Sequence, residues 1–243
     1  ENFQKKIKFF NKIIFIKINI FEKLFYTMYF FIKGKPLQVG YFFSSEMKAK
    51  INEIKNNYDS IIFHLIRAGE FLPRNYEGIK ILEMTDLISK NYSQLHKKLS
   101  FINPLKYLYL LEKALLEKYE KRIAGSFNQI ALVSKRDVKH FGVSNKIKKR
   151  VRIITNGTDL KKKLYKFKKN NRDIIFIGNI NYLPNKIACY DFIKIIMPRL
   201  EKDGINITFK IIGNISNAFK FYLTRFKNVE VHNNVKFPEK LCK

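Results

Sequence analysis

The chain predicts an α/β protein built on parallel sheets and divided into two units, and three observations carry that prediction. Short, nearly continuous apolar runs rich in Ile, Val and Phe recur along its 243 residues. Segments of helical period stand between them. Each run closes in polar or small residues. Buried strands alternating with helices call for a parallel sheet covered on both faces. In such sheets ligands bind beyond the carboxyl ends of the strands, so the residues ending each run are the first candidates for function.

Composition narrows the classes. Apolar types make up 46% and aromatics 15%, enough for a packed core and too much for a disordered chain. The length suits one large domain or two modest ones. Cys189 and Cys242 are too few for a disulfide framework or a four-ligand zinc site and point to a reducing compartment. The longest uncharged apolar run, Leu24 to Ile32, is far short of a bilayer span. The chain opens on Glu1, and Glu1 to Lys8 shows no cleavage-site pattern, so it reads as the interior of a longer protein.

With 48 Lys+Arg against 20 Asp+Glu the net charge is +28, which attracts nucleic acid, anionic lipid or phosphorylated substrates. The bland explanation is coding bias. Lys, Asn, Ile, Phe and Tyr are all over-used, Trp is absent, and lysines are spread through every segment. No zinc-finger spacing or RNP-type aromatic motif is present, so nucleic-acid binding stands second and no specific nucleic acid is expected.

Ile13 to Ile20 is β-branched and predicts a strand. Asn19 and Glu22 then resemble a capping box, and Phe21, Leu24, Phe25, Met28, Tyr29 and Ile32 recur at helical spacing until Gly34 and Pro36. That stripe is most simply a core face, with a membrane-surface helix as its alternative. Ser45 to Asn56 predicts a second, more polar helix. Four strands follow. Ser60 to Phe63 leads into His64 and Arg67, and Ile79 to Met84 into Thr85, Asp86 and Ser89. Gln129 to Val133 leads into Ser134 and Asp137, and Val151 to Ile154 into Asn156, Gly157 and Asp159. Between the second and third runs a long helix is expected, capped by Asn103 with Pro104 in its first turn. Its buried stripe would be Leu105, Leu108, Leu111, Leu115, Tyr119 and Ile123, with Glu117 and Lys121 paired on the wet side.

Residues 161–171 are charged and aperiodic, a linker between units 1–160 and 172–243. A fresh βαβ pattern then begins. Asp173 to Ile177 closes on Gly178-Asn179, and Pro184 and Asn185 open a helix through Leu200. Ile207 to Ile212 closes on Gly213-Asn214, Ala218 to Phe226 is a short helix, and Val229 to His232 the last strand. Strand-then-glycine endings let backbone approach a bound group and aim amides at an anion.

The stretch Ile174 to Gly213, "IIFIGNINYLPNKIACYDFIKIIMPRLEKDGINITFKIIG", resembles the opening of the C-terminal domain of family-four-like GT-B glycosyltransferases of bacterial exopolysaccharide and surface-polysaccharide assembly. Earlier pieces are similar to the same family and fall in its order. They are "GKPLQVGYF" at Gly34, "YDSIIFHLIRAGEFL" at Tyr58, "DLISKNY" at Asp86, "LLEKALLEKYE" at Leu110, "ALVSKRD" at Ala131 and "ITNGTD" at Ile154. The resemblance implies a GT-B-like α/β fold of two Rossmann-type domains, both incomplete. The family's first strand and glycine-rich loop would precede Glu1, and its glutamate pair would follow Lys243. The chain alone is therefore expected to turn over no nucleotide sugar, and a non-catalytic remnant is a third reading.

The implied chemistry is metal-independent transfer, with retention, from a nucleotide-sugar donor to a glycan or lipid-linked acceptor, without a cofactor. The location implied is the cytoplasm, with an anionic membrane surface as a further partner. Gly178 and Asn179 would face the diphosphate at a helix N-terminus, with Asn185 and Lys186 beside them as donor-binding residues; Asn185 alone would otherwise read as a helix cap. His64 and Asp86 are the catalytic candidates: His64 to bond a donor sugar or acceptor hydroxyl, Asp86 to orient a hydroxyl or act as base. A structural histidine and a helix N-cap are their alternatives. Arg67, Asn156 and Gly157 would lie on the acceptor side or cleft, Asn156 and Gly157 otherwise forming a plain turn. Ser134 and Asp137 most simply cap a helix, and His96, His140 and His232 lack partners at metal-ligand spacing.

Overall fold

The computed structural model describes residues 10–157 and 172–235. The expected linker 161–171 with its lysine run, and also Asp159 and Cys242, lie outside the described residues. The chain divides into two compact units, Glu1–Thr158 and Asp159–Lys243. Both are α/β with wholly parallel sheets, the class the apolar runs called for.

The first unit opens with helix α1 (Ile20–Ile32), α2 (Leu37–Tyr41) and α3 (Ser45–Ile54). It continues through β1 (Ser60–His64), a 3-10 turn at Ile66–Phe71, β2 (Ile79–Thr85), α4 (Ile88–Lys98) and α5 (Pro104–Ala124). It closes with β3 (Gln129–Leu132), α6 (Lys135–His140), α7 (Asn145–Lys148) and β4 (Val151–Ile153). The strands lie in the order β1-β2-β3-β4, with Ser60 opposite Ile79, Ile81 opposite Gln129 and Ile130 opposite Val151. Phe63, Leu82, Met84, Ile130 and Leu132 bury against Leu116, Tyr119 and Phe127.

Three expectations are corrected. No strand forms at Ile13–Asn19, where Ile14 and Phe15 are exposed. Strand preference is a preference for packing against a neighbouring strand, and no ladder is available to this segment. Asn19 does cap α1, its Oδ1 accepting from Glu22 N at 2.7 Å, but the Glu22 carboxylate turns away to accept from Ser45 N and Oγ, each at 2.8 Å.

The stripe Phe21, Leu24, Phe25, Met28, Tyr29, Ile32 is not a core face. All six are exposed, Phe21 by 80% and Ile32 by 75%. The opposite arc goes inward, because α2 crosses α1 at backbone contact. A Cβ on Gly40 would fall 2.3 Å from Tyr26 O, and no other side chain fits there. That crossing turns Tyr26 and Phe30 onto Phe43, with ring centroids 4.5 and 5.1 Å apart, and Phe43 stacks in turn on Phe71.

The expected buried stripe of α5 holds at Tyr119 and Ile123, which pack in or against the core, but its earlier turns are rotated from the leucine register. Leu105, Leu108 and Leu111 are exposed, while Glu112, Leu116, Tyr119, Glu120 and Ala124 are buried. The two glutamates cause the rotation. Glu112 accepts from Leu37 N at 2.8 Å and Gln38 N at 3.1 Å, serving the start of α2, where Pro36 has no capping side chain. Glu120 accepts from Ser89 N at 2.9 Å and Ser89 Oγ at 2.6 Å, serving the start of α4, where Leu87 has none either. Each carboxylate satisfies donors a helix start leaves open. Glu117 pairs one turn back, with Lys113 at 3.6 Å.

Burial pushes the Glu120 carboxyl up to about 7, against the pull of its two Ser89 bonds. A carboxyl whose native pKa exceeds its unfolded value binds its proton more tightly when folded. Its contribution to stability is full below about pH 4.5 and is lost as pH rises through about 7. Urea unfolding should therefore show wild-type stability falling between pH 5 and 8 by about 3 kcal/mol more than that of Glu120→Gln. Parallel profiles for the two proteins would refute the assignment.

The second unit contains β5 (Asp173–Ile177), α8 (Leu183–Asp191), a π-turn at Phe192–Ile196, α9 (Met197–Lys202), β6 (Thr208–Gly213), α10 (Asn217–Leu223) and β7 (Val229–Asn233), with strand order β5-β6-β7. The expected helix through Leu200 is continuous but widened into a π-turn just before Pro198, whose ring excludes the regular i−4 bond. Cys189, Ile193, Met197, Phe209 and Ile211 form its core.

Candidate functional site

Two sets of polar groups stand at strand ends, one in each unit. In the first unit the parallel register sets His64 opposite Glu83, and His64 Nδ1 pairs with Glu83 Oε2. Thr85 Oγ1 donates to the other Glu83 oxygen at 2.8 Å. Both Glu83 oxygens are thereby committed and the imidazole orientation is set. The His64 side chain remains 70% exposed, and a proton on Nδ1 leaves Nε2 free to accept from a hydroxyl.

The backbone here is strained. Leu65 has φ 68° and Thr85 φ 63°, and the β2–β3 register shifts between Glu83 and Thr85. Positive φ in a β-branched residue persists only when its surroundings over-determine it. Here Leu65 N donates to Glu83 O at 2.7 Å and Val133 N to Thr85 O at 2.9 Å. Asp86 follows directly. Its Oδ2 accepts from Asn91 Nδ2 at 2.7 Å, so it does not cap α4, the role that Glu120 fills. Arg67 sits in the 3-10 turn with its guanidinium 4.1 Å over the Phe42 ring, and partial burial lowers its pKa. Asn156 and Gly157 are exposed in coil beyond β4. Ser134 and Asp137 bond each other at the start of α6, Asp137 N donating to Ser134 Oγ at 3.0 Å and Ser134 Oγ to Asp137 Oδ2 at 2.7 Å.

In the second unit the ends of all three strands are stitched together. Gly178 N donates to Ile212 O at 3.0 Å, and a Cβ on Gly213, at φ +150°, would fall 1.7 Å from Gly178 O. Asn185, in the first turn of α8, donates through Nδ2 to Asn179 O at 2.9 Å, so it latches the loop rather than capping its own helix. Asn181 Oδ1 accepts from Ser216 N at 2.9 Å, and Asn233 exchanges two 3.3 Å bonds with the backbone of Ile215. The loop 178–182 is thus held in one shape at the N-terminus of α8. Lys186 lies one turn in, its ammonium 4.7 Å over the Phe219 ring.

Glu83 was missed by sequence reasoning, and Thr85 was marked only as a residue ending its strand. The available signal was an acid at the penultimate position of the run Ile79–Met84, level with a histidine that ends the run before it. Glu112 and Glu120 had a signal too: each lies four residues from buried Leu116, on one face of α5.

No family model and no curated protein matches the chain. Among solved structures it is similar to one titled "Crystal Structure of TarM", with a TM-score of 0.49 and 12% identity. The match covers 80% of this chain and 37% of that one, so the chain spans a little over a third of that neighbour's length.

Proposed function

We propose that the chain belongs to a GT-B-like glycosyltransferase that moves a sugar from a nucleotide-sugar donor to a glycan or lipid-linked acceptor. The observation that carries the reading is the exposed His64, oriented by Glu83 and Thr85 at strained strand ends. The ordered family-like motifs support it independently.

Glycosyl transfer needs a stabilised leaving diphosphate and an acceptor hydroxyl held for attack. In this reading the positive end of α8 receives the diphosphate, while the amides of Gly178, Ile180, Asn181 and Tyr182 are spent on holding the loop before it. Gly178 leaves room for it, Asn179 and Asn185 keep the loop's shape, and Lys186 swings from Phe219 to add charge. His64 accepts from a sugar or acceptor hydroxyl through Nε2, and Asp86, steadied by Asn91, orients a second. Arg67, Asn156 and Gly157 belong to the acceptor side. Retention without a bound metal, and a cytoplasmic site beside a membrane, complete the proposal.

Calorimetric titration with a panel of nucleoside diphosphates and their sugar conjugates tests this reading. One conjugate should bind, and Asn185→Ala should weaken both conjugate and free diphosphate. His64→Ala should weaken the conjugate alone, by about fivefold, the worth of roughly one neutral hydrogen bond. If the whole panel fails to bind while duplex or single-stranded nucleic acid binds with a steep salt slope, the reading gives way to a nucleic-acid-binding protein.

A further inference from the structure

Helix α1 is built inside out. Its polar side chains Glu22, Lys23 and Thr27 lie on the half-buried side beside Tyr26 and Phe30, while every position that faces solvent carries an apolar side chain. A helix on the surface of a water-soluble domain shows the reverse arrangement. The apolar surface does not stop at α1. Thr27 lines an apolar crevice of about 220 Å³ that is closed on its other side by Tyr92, Leu108 and Tyr109 of α4 and α5. Leu24 and Phe31, three before and four after Thr27, flank that crevice on α1 and are exposed. Leu105 and Leu111 continue the strip along α5 on either side of Leu108, and Phe101 and Ile102 extend it past the helix start. A contiguous apolar area of this kind marks an interaction surface.

Charge decides what covers it. From residue 10 to residue 45 the chain has Lys12, Lys17, Lys23, Lys33 and Lys35 against the lone acid Glu22; the Glu22 carboxylate is engaged by Ser45, and Lys35 is paired with Glu70 at 2.7 Å, which leaves four cations in the segment. From residue 97 to residue 111 it has Lys97, Lys98 and Lys106 and no acid. Glu112 lines the crevice, but like Glu22 its carboxylate is committed to backbone amides, so the apolar face is bordered mainly by cations and complements a layer with an apolar interior and anionic headgroups. Among the described residues no helix is long and apolar enough to cross a membrane, so the helix would lie in the interface rather than span it.

We infer that the outward face of α1, with the exposed strip of α5 beyond the crevice, docks the chain on the surface of an anionic lipid bilayer. The inference deepens the proposed function and rests on it only for the nature of the acceptor. Vesicle binding and nucleotide-sugar binding are separate measurements, so either can fail while the other stands.

The test is sedimentation with vesicles of phosphatidylcholine alone and with phosphatidylglycerol added, whose anionic headgroups create the negative surface potential. The chain should bind the anionic vesicles at least tenfold more tightly. Phe25→Ser with Met28→Ser changes exposed positions only, so folding by circular dichroism should be unaltered while vesicle binding drops about tenfold. Met28→Trp should be quenched by brominated acyl chains, which reports insertion. Three results would overturn the inference: no vesicle binding, binding that salt abolishes and the serine pair leaves intact, or loss of self-association rather than of lipid binding in that pair. The last would make a second copy of the chain the occupant.

Discussion

Gly213→Ala is expected to unfold the sheet of the second unit. The new methyl would sit 1.7 Å from Gly178 O, about half a normal contact, at a φ of +150° that alanine avoids. One of the two strand ends must move, and the Gly178–Ile212 bond and the Asn185 latch move with it. The expected loss is more than about 3 kcal/mol, in the range of severe backbone substitutions. Amide exchange reads it directly: protection across Phe209–Ile212 should collapse while that of Ile130–Leu132 in the first unit holds. Gly204→Ala is the control, because Gly204 also has positive φ, +74°, but open space around its Cα. It should cost only about 1 kcal/mol. Equal losses for the two variants would mean that φ alone, and not the crossing of β5 and β6 ends, decides the cost.

Glu112→Ala is expected to have the next largest effect. It strips the acceptor from Leu37 N, Gln38 N and the Gln38 side-chain amide together, at a helix start whose N-cap residue is proline. Each donor left without a partner out of water costs about 1–3 kcal/mol, so the sum should be at least about 3 kcal/mol. Glu112→Gln keeps one carbonyl oxygen and should recover part of that. Urea midpoints rank the three proteins, and exchange at Leu37 and Gln38 should accelerate in the alanine variant. If the glutamine variant is as stable as wild type while alanine is not, Glu112 acts through packing rather than through its two acceptor oxygens.

These effects sit where the sequence was least readable. The strands were legible because each is an apolar run that any buried sheet must supply, and β1 to β7 all fall on such runs. Helix starts at Asn19, Asn103 and Ser134 were legible because the capping group lies within three residues of the donor it serves. The starts of α2 and α4 were not, because their acceptors come from α5, 74 and 31 residues away. The candidate site divides in the same way. His64 and Gly178 could be chosen because they end apolar runs, whereas Glu83 became the partner of His64 only when two strands took a common register.

The sequence by itself determined that both units are parallel α/β and which residues stand at the strand ends, since burial period and local capping are properties of short stretches of chain. Only the tertiary structure decided which face of a helix meets the rest of the chain. Apolar content named the leucine and phenylalanine stripes of α1 and α5 for the interior, yet a glycine crossing and two buried carboxylates turned them outward. Hydrophobic burial is non-directional and sets only how much surface must be covered, while backbone contact and hydrogen-bond donors in need of an acceptor fix the rotation.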